Sequence, residues 1–227
     1  MRLPEACPFK SLAELRDWVP EEDEVFASCR IPLSPCREQK NKNCQQVLVC
    51  HDMAGGYLQG DRFLQGSSVN PIYTLKCWDL VDVFVYFSHS RVAPPPSTWT
   101  AAAHRNGVKV LGTLITEDPD GSAENQELVF GPGSLTTSPS NFSFSRFYAD
   151  KLVGLACERG FDGWFLNLES SLPKTQIVHL IAFLDYLTHR MHAAKPGSLV
   201  LWYDSLTVEG KVDWQDALTP LNKVRIF

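Results

Sequence analysis

The chain has 227 residues, of which 44% are hydrophobic, 11% aromatic and 21% charged, with a formal net charge of −5 and a pI near 5.7. This composition is typical of a globular protein with a sizeable core, and the acidic balance argues against nucleic acid or an anionic membrane as the main partner. No apolar run approaches the roughly 18 residues of a membrane-spanning helix, and no signal-peptide pattern is visible. The seven scattered cysteines form no C-x-x-C pair, which favours free thiols in the cytosol and argues against a structural zinc site.

The first part of the chain has the character of an entry segment. Residues 1–43 are polar and interrupted by prolines, so we interpret them as a segment that precedes a single domain over residues 44–227. Within the segment, Leu12, Leu15 and Trp18 are spaced to share one face of a short amphipathic turn.

Five short runs predict strands, because each is rich in β-branched or aromatic residues and is bounded by turn residues. They are Gln45–Cys50, Val81–Phe87, Lys109–Thr116, Gly160–Glu169 and Leu199–Asp204. A sixth strand is expected to begin at Val224–Phe227. Helices are predicted between several of the strands. A long connection rich in Gly, Pro and Ser is predicted after the third strand. The helices span 97–104, 145–159 and 175–192, and the connection spans 118–142.

Polar side chains end or follow each of the five predicted strands. They are His51 and Asp52, Ser88 and His89, Glu117, Asn167 and Glu169, and Tyr203 and Asp204. The carboxyl ends of all strands meet at the active-site rim of a (β/α) barrel, whereas a doubly wound sheet collects its ligands near one switch point. Five successive polar endings therefore favour an α/β fold of the TIM-barrel type. Since a complete barrel has about eight strands and only about five or six are predicted here, the barrel is expected to be incomplete.

Asn167 and Glu169 share one face of the predicted fourth strand, because side chains on a strand alternate with period 2. Two carboxylates normally flank a glycosidic bond during its hydrolysis, but here an amide replaces one of them. An amide is no nucleophile at neutral pH, yet it can hold one by hydrogen bonding, such as the carbonyl oxygen of a 2-acetamido sugar. Glu169 would then be the general acid/base. The alternative is a buried strand whose last polar residues merely cap it.

The motifs around this pair resemble those of a known family. Asp162-Gly163, Asn167 and Glu169 match the frame of the Asp-Gly-x-Asp-x-Asp-x-Glu motif of family 18 chitinases, with Asn in place of the last Asp. With that exchange, residues 12–224 resemble glycoside hydrolase family 85, the endo-β-N-acetylglucosaminidases. The further matching segments are Val49–Tyr57, Phe84–His89, Ala102–Val108 and Leu201–Ser205.

This resemblance implies cleavage between the two GlcNAc residues of an N-glycan core, in the cytosol, on an N-glycan or glycoprotein substrate and without a metal or other cofactor. Asn167 would orient the acetamido group toward an oxazolinium-type intermediate, Glu169 would be the general acid/base, and Tyr203 would assist near the intermediate. Trp214 would line the sugar site. The further candidate substrate contacts are His51, Asp52, Tyr57, His89, Glu117 and Trp202.

The chain departs from the family pattern at two positions beside the candidate site. Asp118 stands where family members tend to carry Trp, and Ser170 stands where Asn is frequent. Two alternatives to an active endoglycosidase remain. One is a truncated isoform that is inactive or only binds glycan, and the other is a chitinase-like hydrolase.

Overall fold

The computed structural model describes residues 7–20, 27–35, 45–53, 56–58, 60–61, 74–117, 119–134 and 143–222. The predicted sixth strand at Val224–Phe227 lies outside the described residues, as does Asp118. The described helices are α1 (Leu12–Asp17), α2 (Ser97–Arg105), α3 (Gly121–Phe130), α4 (Phe147–Arg159) and α5 (Ile177–Ala194). The described strands are β1 (Leu48–Asp52), β2 (Val83–Phe87), β3 (Val92–Ala93), β4 (Lys109–Glu117), β5 (Gly163–Glu169) and β6 (Leu199–Trp202).

The strands form one sheet in the order β1-β2-β4-β5-β6, and every neighbouring pair along this path is parallel. The short β3 lies off the path and pairs antiparallel with β4. Parallel neighbours in chain order, joined by helical crossovers, are the arrangement of a (β/α) barrel. The predicted α/β fold is therefore confirmed, and the open sheet represents part of a barrel.

The two faces of the sheet differ in what covers them. The helices pack on one face, where residues such as Leu114, Trp164 and Leu166 join a core with the buried side chains of α3, α4 and α5. The opposite face is called the inner face here, and the described residues that line it belong to the strands and to the turn after β6. Its apolar members are Val83, Val85, Leu111 and Phe165, with Phe87, Leu199, Leu201 and Tyr203 packed against them.

Strand β1 extends further than its sequence predicts. The prediction ended it at Cys50, but His51 pairs with Tyr86 and Asp52 with Phe87, so both residues belong to the strand and not to the loop. Their side chains point to opposite faces, since adjacent strand residues alternate. The predicted fifth strand is shorter than expected, because β6 ends at Trp202.

Helix α3 lies inside residues 118–142, so the prediction of a connection without a helix was wrong there. The helix begins at a glycine and lacks a clear apolar stripe, which is why its sequence does not indicate a helix. Its buried residues are Gly121, Asn125, Leu128 and Val129. Tertiary packing against the ends of β4 and β5 stabilises a helix that local preference does not favour.

The described part of the entry segment packs into the main core. Ser11 caps α1 by accepting a hydrogen bond from the backbone N–H of Glu14 at 3.2 Å, and Leu12 and Leu15 are buried against α4. The predicted amphipathic turn is thus confirmed, while the domain boundary at residue 43 stays a prediction. Among the described helices, none combines the length and apolar character needed to cross a membrane. The described cysteines 7, 29, 50, 77 and 157 are free thiols.

Candidate active site

The inner face carries two neighbouring carboxylates where β4 and β5 end. Glu117 is the Cα partner of Glu169 in the strand register, and Ile115 is the partner of Asn167. Partners in adjacent strands lie about 5 Å apart and project to the same side of the sheet. The pairing therefore brings Glu117, Asn167 and Glu169 to one patch of the inner face, as the period-2 alternation within β5 predicts for the last two.

Asn167 is the most unusual polar group of this patch. Its side chain is 3% exposed, and within the described residues its Oδ1 has no hydrogen-bond partner. A buried acceptor of this kind typically costs about 1–3 kcal/mol of stability. Buried polar atoms without a partner are rare in folded proteins. A ligand that supplies the missing hydrogen-bond donor would explain this one.

Tyr203 follows β6 and joins the same patch. Its backbone N–H donates to the carbonyl oxygen of Leu166 at 3.0 Å, which continues the pairing of β5 and β6 by one residue. Its ring centroid lies 5.9 Å from that of Phe165, the inner-face residue two positions before Asn167. The phenol ring therefore lies at the level of Asn167, beside the end of β5.

His89 lies between Glu117 and a further carboxylate of the rim, Asp52. Its Nδ1 lies 3.2 Å from Glu117 Oε1, and its Nε2 lies 3.6 Å from Asp52 Oδ2. Burial by itself lowers the pKa of His89, but the hydrogen bond and charge of Glu117, with those of Asp52, raise the pKa above its ordinary value. When the imidazole is protonated, its charge partly neutralises the carboxylates that flank it.

Trp214 lies on a loop that is tied to the end of β5. Its side chain is 51% exposed. The Ser205 hydroxyl donates to the carbonyl oxygen of Leu168 at 2.7 Å, and the Ser205 carbonyl accepts from the N–H of Asp213 at 2.9 Å. The indole ring of Trp214 is therefore an exposed apolar surface on this loop, and such a surface suits contact with the C–H face of a sugar.

Asp204 organises the same loop and was not assigned a role from the sequence. Its Oδ2 accepts hydrogen bonds from the backbone N–H groups of Gln215 and Asp216 at 3.0 and 2.8 Å, and its Oδ1 accepts from Asn222 Nδ2 at 2.6 Å. The sequence shows only that Asp204 stands at the end of a predicted strand, since its partners lie 11 to 18 residues further along the chain.

Three of the predicted substrate contacts lie away from the patch. The His51 ring packs outward, 6.5 Å from the rings of Phe84 and Trp99. Tyr57 is 5% exposed, its hydroxyl donates to the Pro94 carbonyl, and burial strongly raises its pKa. Trp202 pairs with Leu166 and packs against the core on the helix-covered face.

Sequence reasoning also missed Arg91, which braces the segment that carries His89. Its guanidinium donates to the carbonyl oxygen of Ile115 and forms a largely buried ion pair with Glu124 of α3. Burial raises the pKa of the Glu124 carboxyl, although the Arg91 charge opposes this shift. No periodicity or motif distinguishes Arg91, since its partners lie 24 and 33 residues further along the chain.

Asp162, the first residue of the matched motif, lies at the opposite end of β5. Its Oδ2 accepts from His104 Nε2 and from the Val110 N–H, both at 2.8 Å, and its Oδ1 lies 3.0 Å from Lys195 Nζ. His104 Nδ1 also lies 2.6 Å from the Ile31 carbonyl oxygen. Because both partners of the ring are acceptors, both ring nitrogens must donate, and the imidazole is a buried cation. Asp162 therefore stabilises the fold and lies outside the candidate active site.

Within the described residues, no group of three or more His, Cys, Asp or Glu side chains has the arrangement of a metal site. Carboxyl, amide, phenol and indole side chains are groups that commonly bind sugars or act in their hydrolysis.

A partial (β/α) barrel that gathers carboxyl, amide and phenol groups at its carboxyl rim is an arrangement found among glycoside hydrolases. The model of glycosyl hydrolase family 85 matches residues 57–225, and the chain belongs to this family. The solved glycoside hydrolase domain of Endo-D from Streptococcus pneumoniae R6 has the same fold, with a TM-score of 0.68, 22% identity, and coverage of 98% of this chain and 35% of that one.

The curated relatives point to one kind of enzyme. Cytosolic endo-β-N-acetylglucosaminidase 1 of Arabidopsis thaliana is 42% identical over 97% of this chain and 31% of its own length. The cytosolic endo-β-N-acetylglucosaminidases of Danio rerio and Homo sapiens are 41% and 42% identical, over 97% and 94% of this chain. The chain spans about three tenths of the length of these relatives.

Proposed function

We propose that this chain carries the acid/base and acetamido-binding groups of an endo-β-N-acetylglucosaminidase that acts in the cytosol. The substrate is an N-glycan or glycoprotein, and the bond cleaved is the GlcNAc-β1,4-GlcNAc bond of its core. The observation that carries the proposal is the buried Oδ1 of Asn167, which has no hydrogen-bond partner among the described residues and lies two residues before Glu169 on the inner face. The relatives named above support the substrate class.

An acetamido group fits Asn167 because its N–H supplies the donor that Oδ1 lacks. Held in this way, the acetamido carbonyl oxygen attacks the anomeric carbon while the glycosidic C–O bond breaks and Glu169 protonates the departing oxygen. Glu169 then removes a proton from a water molecule, whose oxygen attacks the same carbon and opens the oxazolinium ring. The configuration at the anomeric carbon is retained, and Glu169 ends the cycle protonated as it began.

The neighbouring groups support these steps in separate ways. Tyr203 lies at the level of Asn167, and this position supports a role of its phenol in stabilising the intermediate. Trp214 provides an exposed surface for a sugar ring. Asp52, His89 and Glu117 form a polar cluster on the same rim that is suited to bind sugar hydroxyls.

The test is to incubate the purified chain with a mannose-rich N-glycopeptide and to follow the peptide by mass spectrometry. The expected product retains one GlcNAc on the peptide. Glu169→Gln should lower the release rate by about 10²–10⁴-fold, whereas Glu158→Gln on the outer helix α4 should leave it unchanged. Release at the wild-type rate by Glu169→Gln would contradict the role of this residue.

The two alternatives give different products in the same assay. Binding of the glycopeptide without release would favour a fragment that only binds glycan. Hydrolysis of a chitin oligomer together with an intact N-glycopeptide would favour a chitinase-like hydrolase.

A further inference from the structure

Asn125 of α3 is a fully buried amide that joins the carboxyl ends of β4 and β5. Its Oδ1 accepts a hydrogen bond from Thr116 Oγ1 at 2.8 Å, and its Nδ2 donates to the carbonyl oxygen of Ser170 at 2.8 Å. Because a carbonyl oxygen can only accept, these partners also determine which way the amide faces. One side chain thus spans the two strands from outside the sheet.

The position of this bridge relates it directly to the two carboxylates. Thr116 immediately precedes Glu117, and Ser170 immediately follows Glu169. Both strands end at these glutamates, so the backbone ladder that fixes their spacing ends there as well. Asn125 links the two chains where that ladder stops.

The start of α3 rests closely on the residue after Glu169. Ser170 is fully buried, and a Cβ built on Gly121 would lie 2.0 Å from Ser170 Oγ. The hydroxyls of the following residues, Ser122 and Ser171, lie 3.0 Å apart. These contacts leave little room for the end of β5 to shift relative to α3.

We propose that Asn125 is a positioning residue that sets the separation of Glu169 and Glu117 by bonding to their chain neighbours. The importance of that separation for catalysis rests on the function proposed above. The effect of Asn125 on the separation itself is independent of that function. Removing the amide frees the two strand ends to move apart, and the acid/base then spends less time in its reactive position.

The first test measures local order and needs no activity. Hydrogen exchange measured by mass spectrometry compares Asn125→Leu and Thr116→Val with the control Thr188→Val. The control removes a buried hydrogen bond of the same length, 2.8 Å, from the Thr188 hydroxyl to the Leu184 carbonyl in α5. Exchange of residues 168–172 should accelerate about tenfold in the first two variants and remain unchanged in the third. Thr116→Ser should restore wild-type exchange because it keeps the hydroxyl.

Two results of this experiment would overturn the proposal. One is wild-type protection of residues 168–172 in Asn125→Leu. The other is an equal acceleration along the whole of β5, which would mean that Asn125 contributes only to global stability.

The second test separates positioning from binding. With an N-glycopeptide substrate, Asn125→Leu should lower kcat about tenfold and change KM less than about twofold, since the sugar contacts remain. A rise in KM alone would contradict a positioning role. If the wild-type chain releases no glycan, the proposed function fails for this chain, and the exchange experiment decides the role of Asn125 independently.

Discussion

The two ends of β5 carry acidic residues in opposite surroundings. At the amino end, Asp162 is buried and bound by His104, Lys195 and the N–H of Val110. At the carboxyl end, Glu169 is partly exposed, and the neighbouring buried Asn167 lacks a partner for its Oδ1 within the described residues. The same strand therefore has a polar network satisfied by the protein at one end and, within the described residues, a buried acceptor without a partner at the other.

Under the proposed function, one strand would serve stability at its amino end and catalysis at its carboxyl end. Buried polar groups without hydrogen-bond partners lower the stability of a fold. A fold can carry them at one rim because interactions elsewhere supply enough stability. The buried network around Asp162 joins β4, β5, α2 and the end of α5 and is such a region. Barrel enzymes in general carry stability at the amino rim and chemistry at the carboxyl rim.

The largest expected effect is the loss of the amino-end network. Asp162→Ala leaves the buried His104 cation and the partly exposed Lys195 ammonium without their carboxylate. We expect it to lower the free energy of unfolding by about 3–5 kcal/mol. Urea unfolding measures the loss. Asp150→Ala removes an exposed partner of Arg190 and should cost less than about 1 kcal/mol. Equal losses in the two variants would contradict the assigned role of Asp162.

The same network predicts an alkaline loss of stability. Burial lowers the pKa of His104, but the hydrogen bond and charge of Asp162 outweigh it and raise the pKa from 6.5 to about 10. Since the folded-state pKa is raised, the stabilisation is complete below about pH 6.5 and is lost as the pH rises through about 10. The pKa of Asp162 is lowered, so its contribution is present above 3.8 and disappears as the pH falls through its folded-state pKa.

The check is to measure urea midpoints from about pH 6 to about pH 10 for the wild-type chain and for His104→Gln. The wild-type chain should lose stability more steeply, because only it carries the buried cation. Parallel pH profiles for the two chains would show that His104 is not charged in the folded protein.

A smaller effect of opposite sign is expected at the carboxyl end. Asn167→Leu replaces a buried amide with an unpaired oxygen by an apolar side chain of similar size, and we expect a gain of about 1 kcal/mol together with loss of glycan release. The same substitution at Asn125 should instead cost about 1–3 kcal/mol, because Thr116 and the Ser170 carbonyl lose their partner. Thermal unfolding of both variants tests the contrast, and destabilisation by Asn167→Leu would refute it.

The smallest effect concerns the polar cluster on the rim. Glu117→Gln should lower the pKa of His89, because the charge and hydrogen bond of Glu117 are the main causes that raise it. Asp52→Asn should lower the pKa of His89 less, since Asp52 is the more distant partner. NMR titration of the His89 ring protons measures both shifts. An unchanged titration in Glu117→Gln would mean that the two side chains do not interact in solution.

Local sequence patterns were sufficient for much of the fold. Alternation and turn residues located the five parallel strands, and the polar residues after them indicated one functional rim. Helix α3 was missed because it lacks an apolar stripe and begins at Gly121. Its stability comes from packing on β4 and β5, which a local pattern does not record.

The candidate site was predicted in part, for a similar reason. Asn167 and Glu169 lie two residues apart on one strand, so the alternation of side chains is enough to predict that they share a face. His51 was grouped with Asp52 because both follow an apolar run, but their pairing with Tyr86 and Phe87 makes them strand residues on opposite faces. Tyr57 was included for its place in a glycine-rich loop, and its burial depends on residues far along the chain, such as Pro94.

The sequence by itself determined the class of fold, the order of the strands and the amide–acid pair of β5, because these follow from spacing within short segments. Tertiary structure decided which strand-end residues meet. It brought Glu117 beside Glu169, placed His89 between two carboxylates and closed the Asp162 network over 58 residues of chain. Such contacts depend on strand register and crossover packing, which join residues that no local pattern relates.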